Sequence, residues 1–290
     1  MSKKVIISVI ILVVVLVVGS VLYMNFFRNS SVELKEDNKF TDSYEVSTEE
    51  KYINDIYGVL YKPKTDKKVP LIIFSHELGS THSSGDDYAE FLSKLGFAFY
   101  EFDFRNGSYS SKSGNDMSKM SVMTEVNDLL EVFNEAKTWD FVDTNKIIIM
   151  GGSQGGAVSA LTAPKIENEI NGVILMYPAL LIHDDVHSRF NSLDEVPETF
   201  TYRGWFTAGK IYVEDAWNLD TYKEISKYNK KVLILHGTSD SIVPYSYSEE
   251  ADKSYKNSEL HLIRGAGHGF YGSSFNEAII HIVNYLNEII

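Results

Sequence analysis

From about residue 69 onward, short runs of β-branched and aromatic residues alternate with stretches whose apolar side chains recur at helical spacing. The runs are Val69–Ser75, Phe97–Phe104, Lys146–Met150, Gly172–Tyr177, Lys231–His236 and Glu259–Ile263, and Met120–Lys137, Gly155–Ala163, Ser246–Tyr255 and Phe275–Ile289 carry the helical pattern. Near-continuous apolar runs are what parallel strands show when helices cover both faces of their sheet. Alternation of this kind predicts an α/β fold with a mostly parallel, doubly wound sheet. No internal repeat interrupts it.

Composition narrows the chemistry. The 290 residues include no cysteine, which excludes disulfide scaffolds, thiolate metal sites, iron–sulfur clusters and cysteine nucleophiles. Any covalent nucleophile must be oxygen or nitrogen. Against 40 acidic side chains stand 27 basic ones, a formal net charge of −13. Without a basic patch such a chain repels phosphate backbones, so no nucleic-acid partner is expected.

The amino terminus is a separate problem. Val5 to Met24 is almost wholly Val, Ile and Leu, broken only by Ser8, Gly19, Ser20 and Tyr23. At ~1.5 Å per residue, a helix of roughly 20 residues spans the ~30 Å hydrocarbon core of a bilayer. Lys3 and Lys4 precede the run, and Arg28, Glu33, Glu36 and Asp37 follow it. By the positive-inside rule the remainder of the chain lies outside the cytoplasm. The run is longer than a signal-peptide core and lacks a small-x-small site, which favours a retained single-pass anchor in the cell membrane over a cleaved signal and a secreted product. The organisation expected is an anchor over 1–28, a polar spacer over 29–50 merging into a first strand, and one α/β domain over 51–290.

One segment breaks the alternation. From about 180 to 222 no clear strand is legible, and acidic residues mix with Phe190, Phe200, Tyr202, Trp205, Phe206, Tyr212 and Trp217. An insertion of this length in a compact fold is more often functional than idle, and it reads as a cap over a site. His183, Asp184, Asp185 and His187 within it read as a solvated polar face rather than as metal ligands, and no metal is expected.

The chemistry is signalled by Gly151-Gly152-Ser153-Gln154-Gly155, between the run Lys146–Met150 and a helical stretch. This matches G-x-S-x-G, in which glycines permit a strained strand-to-helix turn that lifts the serine hydroxyl above the sheet. A hydroxyl needs a base to become a nucleophile, and the base needs an acid to orient it, in chain order Ser, Asp, His for this architecture. Asp240 follows the run ending at His236, and His268 follows the run ending at Ile263, in Gly265-Ala266-Gly267-His268-Gly269-Phe270. Both fall at carboxyl ends of strands, where open α/β sheets hold their sites.

In these motifs, residues 50–290 resemble the α/β-hydrolase superfamily. Tyr177-Pro178-Ala179, the insertion through Tyr212 and Ala216, His236-Gly237-Thr238 and Leu260-His261-Leu262-Ile263 look most like bacterial cinnamoyl (feruloyl) esterases with a short cap. Monoacylglycerol lipases and serine peptidases share the core motifs. The resemblance implies a serine carboxylesterase with Ser153, Asp240 and His268 as its triad, no cofactor, and a small-molecule ester as substrate. It implies an oxyanion hole from the amides of Gln154 and Leu78, the latter in Ser75-His76-Glu77-Leu78-Gly79, where Glu77 stands in place of a family glycine. Asp103-Phe104-Arg105-Asn106-Gly107-Ser108 resembles a structural turn of the family with Asn106 in place of a glycine. Asp185 and Tyr212 fall where the esterases' caps contact an aromatic acyl group. The remaining alternatives are a membrane-associated lipase or peptidase on the same scaffold, and a membrane-tethered binding protein that kept the fold without turnover.

Overall fold

The computed structural model describes residues 32, 34 and 38–290. The anchor expected over 1–28 and much of the spacer lie outside the described residues, and among the described residues no helix is long and apolar enough to cross a membrane.

An eight-stranded sheet organises the chain. It contains β1 (Val46–Ile53), β2 (Ile56–Pro63), β3 (Val69–Ser75), β4 (Ala98–Phe102), β5 (Val142–Gly152), β6 (Gly172–Met176), β9 (Val232–Gly237) and β10 (Ser258–Ile263), in the order β1-β2-β4-β3-β5-β6-β9-β10. From β4 to β10 all neighbours run parallel. β1 and β2 form an antiparallel hairpin on one edge, joined through Asn54 in the left-handed region, a conformation asparagine tolerates.

The central strands β3, β4, β6 and β9 are buried almost throughout because helices cover both faces. α1 (Asp86–Lys94) and α8 (Ser273–Ile289) pack on one face, where Phe74, Tyr88, Phe99, Ile174, Leu235 and Ile282 meet. On the other lie α2 (Val122–Ala136), α3 (Ser153–Thr162) and α7 (Ser246–Ser254), around Ile73, Phe102, Val126, Ile149, Val158 and Ala251. α2 starts at a capping box, with the Ser121 hydroxyl accepting from the Thr124 amide and the Thr124 hydroxyl from the Ser121 amide.

Two expectations need correction. β1 begins at Val46, inside the stretch expected as spacer, and residues before it already dock: Phe40 meets Phe97 edge-on at 4.7 Å, and the Lys39 amide donates to Asn287 Oδ1 at 2.9 Å. β1 is a mostly exposed edge strand, so no apolar run marked it.

The cap is also more ordered than a strandless insertion. It contains α4 (Ile182–Arg189), the antiparallel pair β7 (Thr199–Tyr202) and β8 (Phe206–Gly209), α5 (Lys210–Trp217) and α6 (Thr221–Ile225). The hairpin turns through Arg203 and Gly204, both at positive φ, the conformation of a tight hairpin turn. With four residues in each strand, the alternation was too brief to register. Val186, Tyr202, Phe206, Ala208, Tyr212 and Val213 give the cap an interior continuous with the core beneath it.

Candidate active site

Ser153 sits at the junction of β5 and α3 with φ of 50°. A non-glycine residue in the left-handed region costs about 1–3 kcal/mol and persists only where its surroundings impose it. Here close packing imposes it: a Cβ on Gly155 would come 2.1 Å from the Ser75 carbonyl oxygen, and one on Gly151 would come 2.3 Å from that of Gly155. Only glycine lets the helix start so near the sheet.

The side chains expected to act together meet. The Ser153 hydroxyl lies 2.9 Å from His268 Nε2, and His268 Nδ1 lies 2.7 Å from Asp240 Oδ2. An aspartate accepts only, so Nδ1 carries the proton and Nε2 is free to accept from serine. Asp240 Oδ1 accepts from the Ile242 and Val243 amides at 2.8 and 2.9 Å. Burial alone would raise the Asp240 carboxyl, but the Val243 amide, the His268 imidazole and the Ile242 amide together hold it below the usual carboxylate range. It stays ionised, ready to face an imidazolium.

A residue that sequence reasoning passed over stands beneath it. His236, fully buried at the end of β9, has Nε2 2.9 Å from the Val243 carbonyl and 3.2 Å from Asp240 Oδ2, and Nδ1 2.7 Å from Ser248 Oγ. Burial keeps its imidazole below the ordinary pKa, so it stays neutral and donates from Nε2. The signal available was a histidine at the end of the strand that delivers the acid.

Leu78 and Gln154 line the cleft beside Ser153. Among the described residues the Leu78 N–H has no backbone partner, and the Gln154 N–H is in the first turn of α3, where helix amides lack an intrahelical acceptor. The loop bearing Leu78 is fixed from below. The fully buried His76 donates from Nδ1 to the Glu77 carbonyl at 2.7 Å and accepts the Phe104 amide on Nε2 at 3.1 Å. The turn after β4 is structural: Asp103 accepts from the His82 amide at 2.8 Å, its ring at 2.6 Å and the Lys112 amide at 2.7 Å, while Asn106 takes the left-handed φ of 59°.

Gln154 is braced on both ends of its side chain. Tyr212 donates to its Oε1 at 2.9 Å, and its Nε2 donates to Glu125 Oε2 at 2.8 Å. Tyr212 therefore reaches the site, but its hydroxyl is spent on Gln154 and its ring lines the cavity. Glu125 is buried deeply enough that desolvation pushes its carboxyl well above the usual range, despite the opposing bond from Gln154.

Asp185 departs from expectation. It accepts the Tyr202 hydroxyl and faces Arg203 Nη2 at 3.4 Å and Arg189 Nε at 3.9 Å, and it does not line the cavity. Two guanidinium groups and a phenol gather on its Oδ2 inside the cap.

The cavity over Ser153 has a volume of about 370 Å³ and is mainly apolar, walled by Leu78, Leu181, Ile182, Trp205, Ile242 and Val243. Trp205 is half exposed, yet a Cβ on Gly79 would meet its indole at 2.2 Å, so the cap hairpin rests directly on the loop bearing Leu78.

The prolyl oligopeptidase family matches residues 84–290. Among curated proteins, the quorum-quenching protein AidA of Acinetobacter baumannii is 28% identical over 120 residues, 41% of this chain and 38% of that protein. Monoglyceride lipase of Rattus norvegicus is 27% identical over 177 residues, 61% of this chain and 55% of that protein. The chain thus spans only 38% to 55% of the length of these relatives. Among solved structures, Est1E from Butyrivibrio proteoclasticus, with ferulic acid bound, superposes with a TM-score of 0.72 at 25% identity, covering 83% of this chain and 98% of that one.

Proposed function

The chain belongs to the prolyl oligopeptidase family and has the α/β-hydrolase fold, and from that premise we propose that it is a serine hydrolase of carboxylic esters working through an acyl-enzyme. The observation that carries the reading is the continuous relay from Ser153 Oγ to His268 at 2.9 Å and on to Asp240 at 2.7 Å. Ser153 Oγ attacks the ester carbonyl as His268 Nε2 takes its proton. The oxyanion is held by the amides of Leu78 and Gln154. Collapse breaks the bond to the alkoxy oxygen, which leaves as an alcohol with the proton from His268. Water, deprotonated by the same imidazole, then releases the acid and restores Ser153. Asp240 keeps the imidazole in its tautomer and stabilises its cation, and His236 positions Asp240. No step requires a metal or organic cofactor.

The likeness to Est1E and the apolar cavity support an aromatic or medium acyl group, of the feruloyl or cinnamoyl type. The apolar run before Met24 supports a single-pass anchor over 1–28, with the hydrolase domain that follows it outside the cytoplasm. The test is a substrate panel on the full chain in detergent: aryl and cinnamoyl esters, long-chain monoacylglycerols, and aminoacyl amides. Aryl or cinnamoyl esters should lead in kcat/KM by at least about tenfold, the effect of a well-matched apolar pocket. Preference for monoacylglycerols or amides would replace this reading with the lipase or the peptidase.

A further inference from the structure

His268 borders a second cavity, of about 470 Å³, on the side away from the cap. Glu77 and His268 belong to the walls of both. The two spaces differ in chemistry. The cap cavity is apolar, and its one guanidinium, Arg203, is paired with Asp185. The second cavity presents the carboxylates of Glu77, Asp86 and Asp87 among Tyr88, Tyr177, Phe270, Tyr271 and Phe275, with no lysine or arginine in its walls.

Several of these groups are left with unused acceptors. Tyr177 donates to Glu77 Oε1 at 2.9 Å, and Glu77 Oε2 makes no hydrogen bond. That carboxylate lies over Gly152, where an added Cβ would meet it at 2.5 Å, one residue from the nucleophile. Asp86 accepts the Tyr61 hydroxyl on Oδ1 at 2.8 Å and also shares a hydrogen bond with the buried Glu101 carboxyl, which burial and this contact push up to about 10. Tyr88 is only 4% exposed, lines the cavity, and its hydroxyl has no hydrogen-bond partner. A buried phenol with no partner is costly unless something fills its place. Carboxylates, phenol and serine oxygens and aromatic faces, with no basic side chain but His268 among them, are surroundings that recognise an ammonium.

We propose that this cavity is the leaving-group subsite and that it takes an alkylammonium, making the substrate an ester whose alcohol carries a positively charged amine. The inference rests on the ester-hydrolase reading of Ser153. Its geometry follows from the reaction: the acyl group occupies the cap cavity, and the alkoxy oxygen must leave within reach of the proton on His268 Nε2. The alcohol therefore extends along the His268 side, toward Glu77. There the ammonium meets Glu77 Oε2 and the unpartnered Tyr88 hydroxyl, with the Asp86 and Asp87 carboxylates beside them, while the aromatic rings cover its methylene chain. This account also gives Glu77 a purpose where the family pattern has glycine. Its carboxylate is held by the Tyr177 hydroxyl at the border of the two cavities, where the alcohol passes.

The experiment compares 5-aminopentyl butyrate with hexyl butyrate, nearly equal in length and differing in charge, on the full 290-residue chain. The ammonium ester should be favoured at least ~10-fold in kcat/KM, about one charge-assisted hydrogen bond. That ratio should fall ~10-fold in Glu77→Gln and less in Asp87→Asn, which is more exposed, and it should shrink as ionic strength rises. Because each ratio compares two substrates on one protein, a general loss of activity in a variant cancels. A ratio near one in the wild type, or one that neither substitution nor salt alters, overturns the proposal. If neither ester nor p-nitrophenyl butyrate is cleaved, the ester-hydrolase reading itself fails. The cavity is then judged by calorimetry with n-pentylammonium chloride: saturable binding weakened in Glu77→Gln upholds an ammonium site, and absence of binding removes it.

Discussion

Ser153, Asp240 and His268 leave the carboxyl ends of β5, β9 and β10, and the elements behind them are fixed by backbone pairing and close packing. The facing wall, from Leu180 to Tyr222, is held differently. Its strands are four residues long, and its order comes from side chains: Tyr202 against Tyr212 at 4.9 Å and Phe206 at 5.2 Å, with Asp185 among two arginines. One region tolerates almost no change of shape, and the other tolerates change of residue while aromatic area is kept. This is the division expected where one part performs a reaction and the other selects what undergoes it. Gln154 joins them, next to the nucleophile in sequence and with its side chain between core Glu125 and cap Tyr212.

The sharpest way to break this contrast is to alter the chemistry without altering shape. Asp240→Asn should leave the fold in place and lower kcat by about 10³- to 10⁴-fold, because the amide no longer holds the imidazole in the tautomer that accepts from serine. Steady-state rates beside an unchanged circular dichroism spectrum check it. A loss under tenfold would mean that Asp240 is not the orienting acid.

Next in size is the demand for glycine under the nucleophile. Gly155→Ala places a methyl group 2.1 Å from the Ser75 carbonyl oxygen and should destabilise the protein by about 3 kcal/mol or more, read from the urea midpoint. A volume increase of equal size at the cap position Ala208, opposite Phe200 in the short hairpin, should cost less. Equal costs would erase the distinction between the two regions.

Glu125 sharpens the boundary through pH. Its folded carboxyl stays protonated well above the 4.5 of the unfolded chain, so above that pH the unfolded state holds fewer protons than the native one. Stability from this group is intact below about pH 4.5 and declines as pH rises toward the folded value, by at most about 1.4 kcal/mol per pH unit. Glu125→Gln keeps a polar partner for Gln154 and should flatten that slope in urea melts from pH 5 to 8. An unchanged slope would show that the carboxyl ionises in place.

The smallest effect belongs to the bridge from the cap. Tyr212→Phe removes one hydrogen bond to Gln154 and should lower kcat by about three- to tenfold with little change in KM for a small acyl group. A change confined to KM would make Tyr212 a substrate contact, as first expected from the sequence.

The same contrast governs what was legible in the sequence. Parallel strands buried on both faces announce themselves as apolar runs, so β3 coincided with Val69–Ser75, and β6, β9 and β10 differed from expectation by a residue or so at an end. The residues proposed for catalysis were legible for a related reason: the glycines around Ser153 and the loops after β9 and β10 are demanded by backbone geometry, and backbone demands leave short motifs. The exposed strand β1 and the four-residue strands of the cap left no such trace. Partnerships formed at long range were equally silent. Nothing in the order of residues says that Tyr177 turns Glu77, since that pairing exists only once the sheet has brought segments 100 residues apart together, and the contact of Tyr202 with Asp185 waits on the folding of the cap.

The account turns on Ser153 as an activated nucleophile, and the most direct measurement is covalent titration of the full chain with a fluorophosphonate, followed by mass analysis of the labelled peptide. The account predicts close to one adduct per folded chain, on Ser153, abolished in Ser153→Ala and strongly slowed in His268→Ala. A folded wild-type chain that takes no label, or takes it equally after Ser153→Ala, would contradict it.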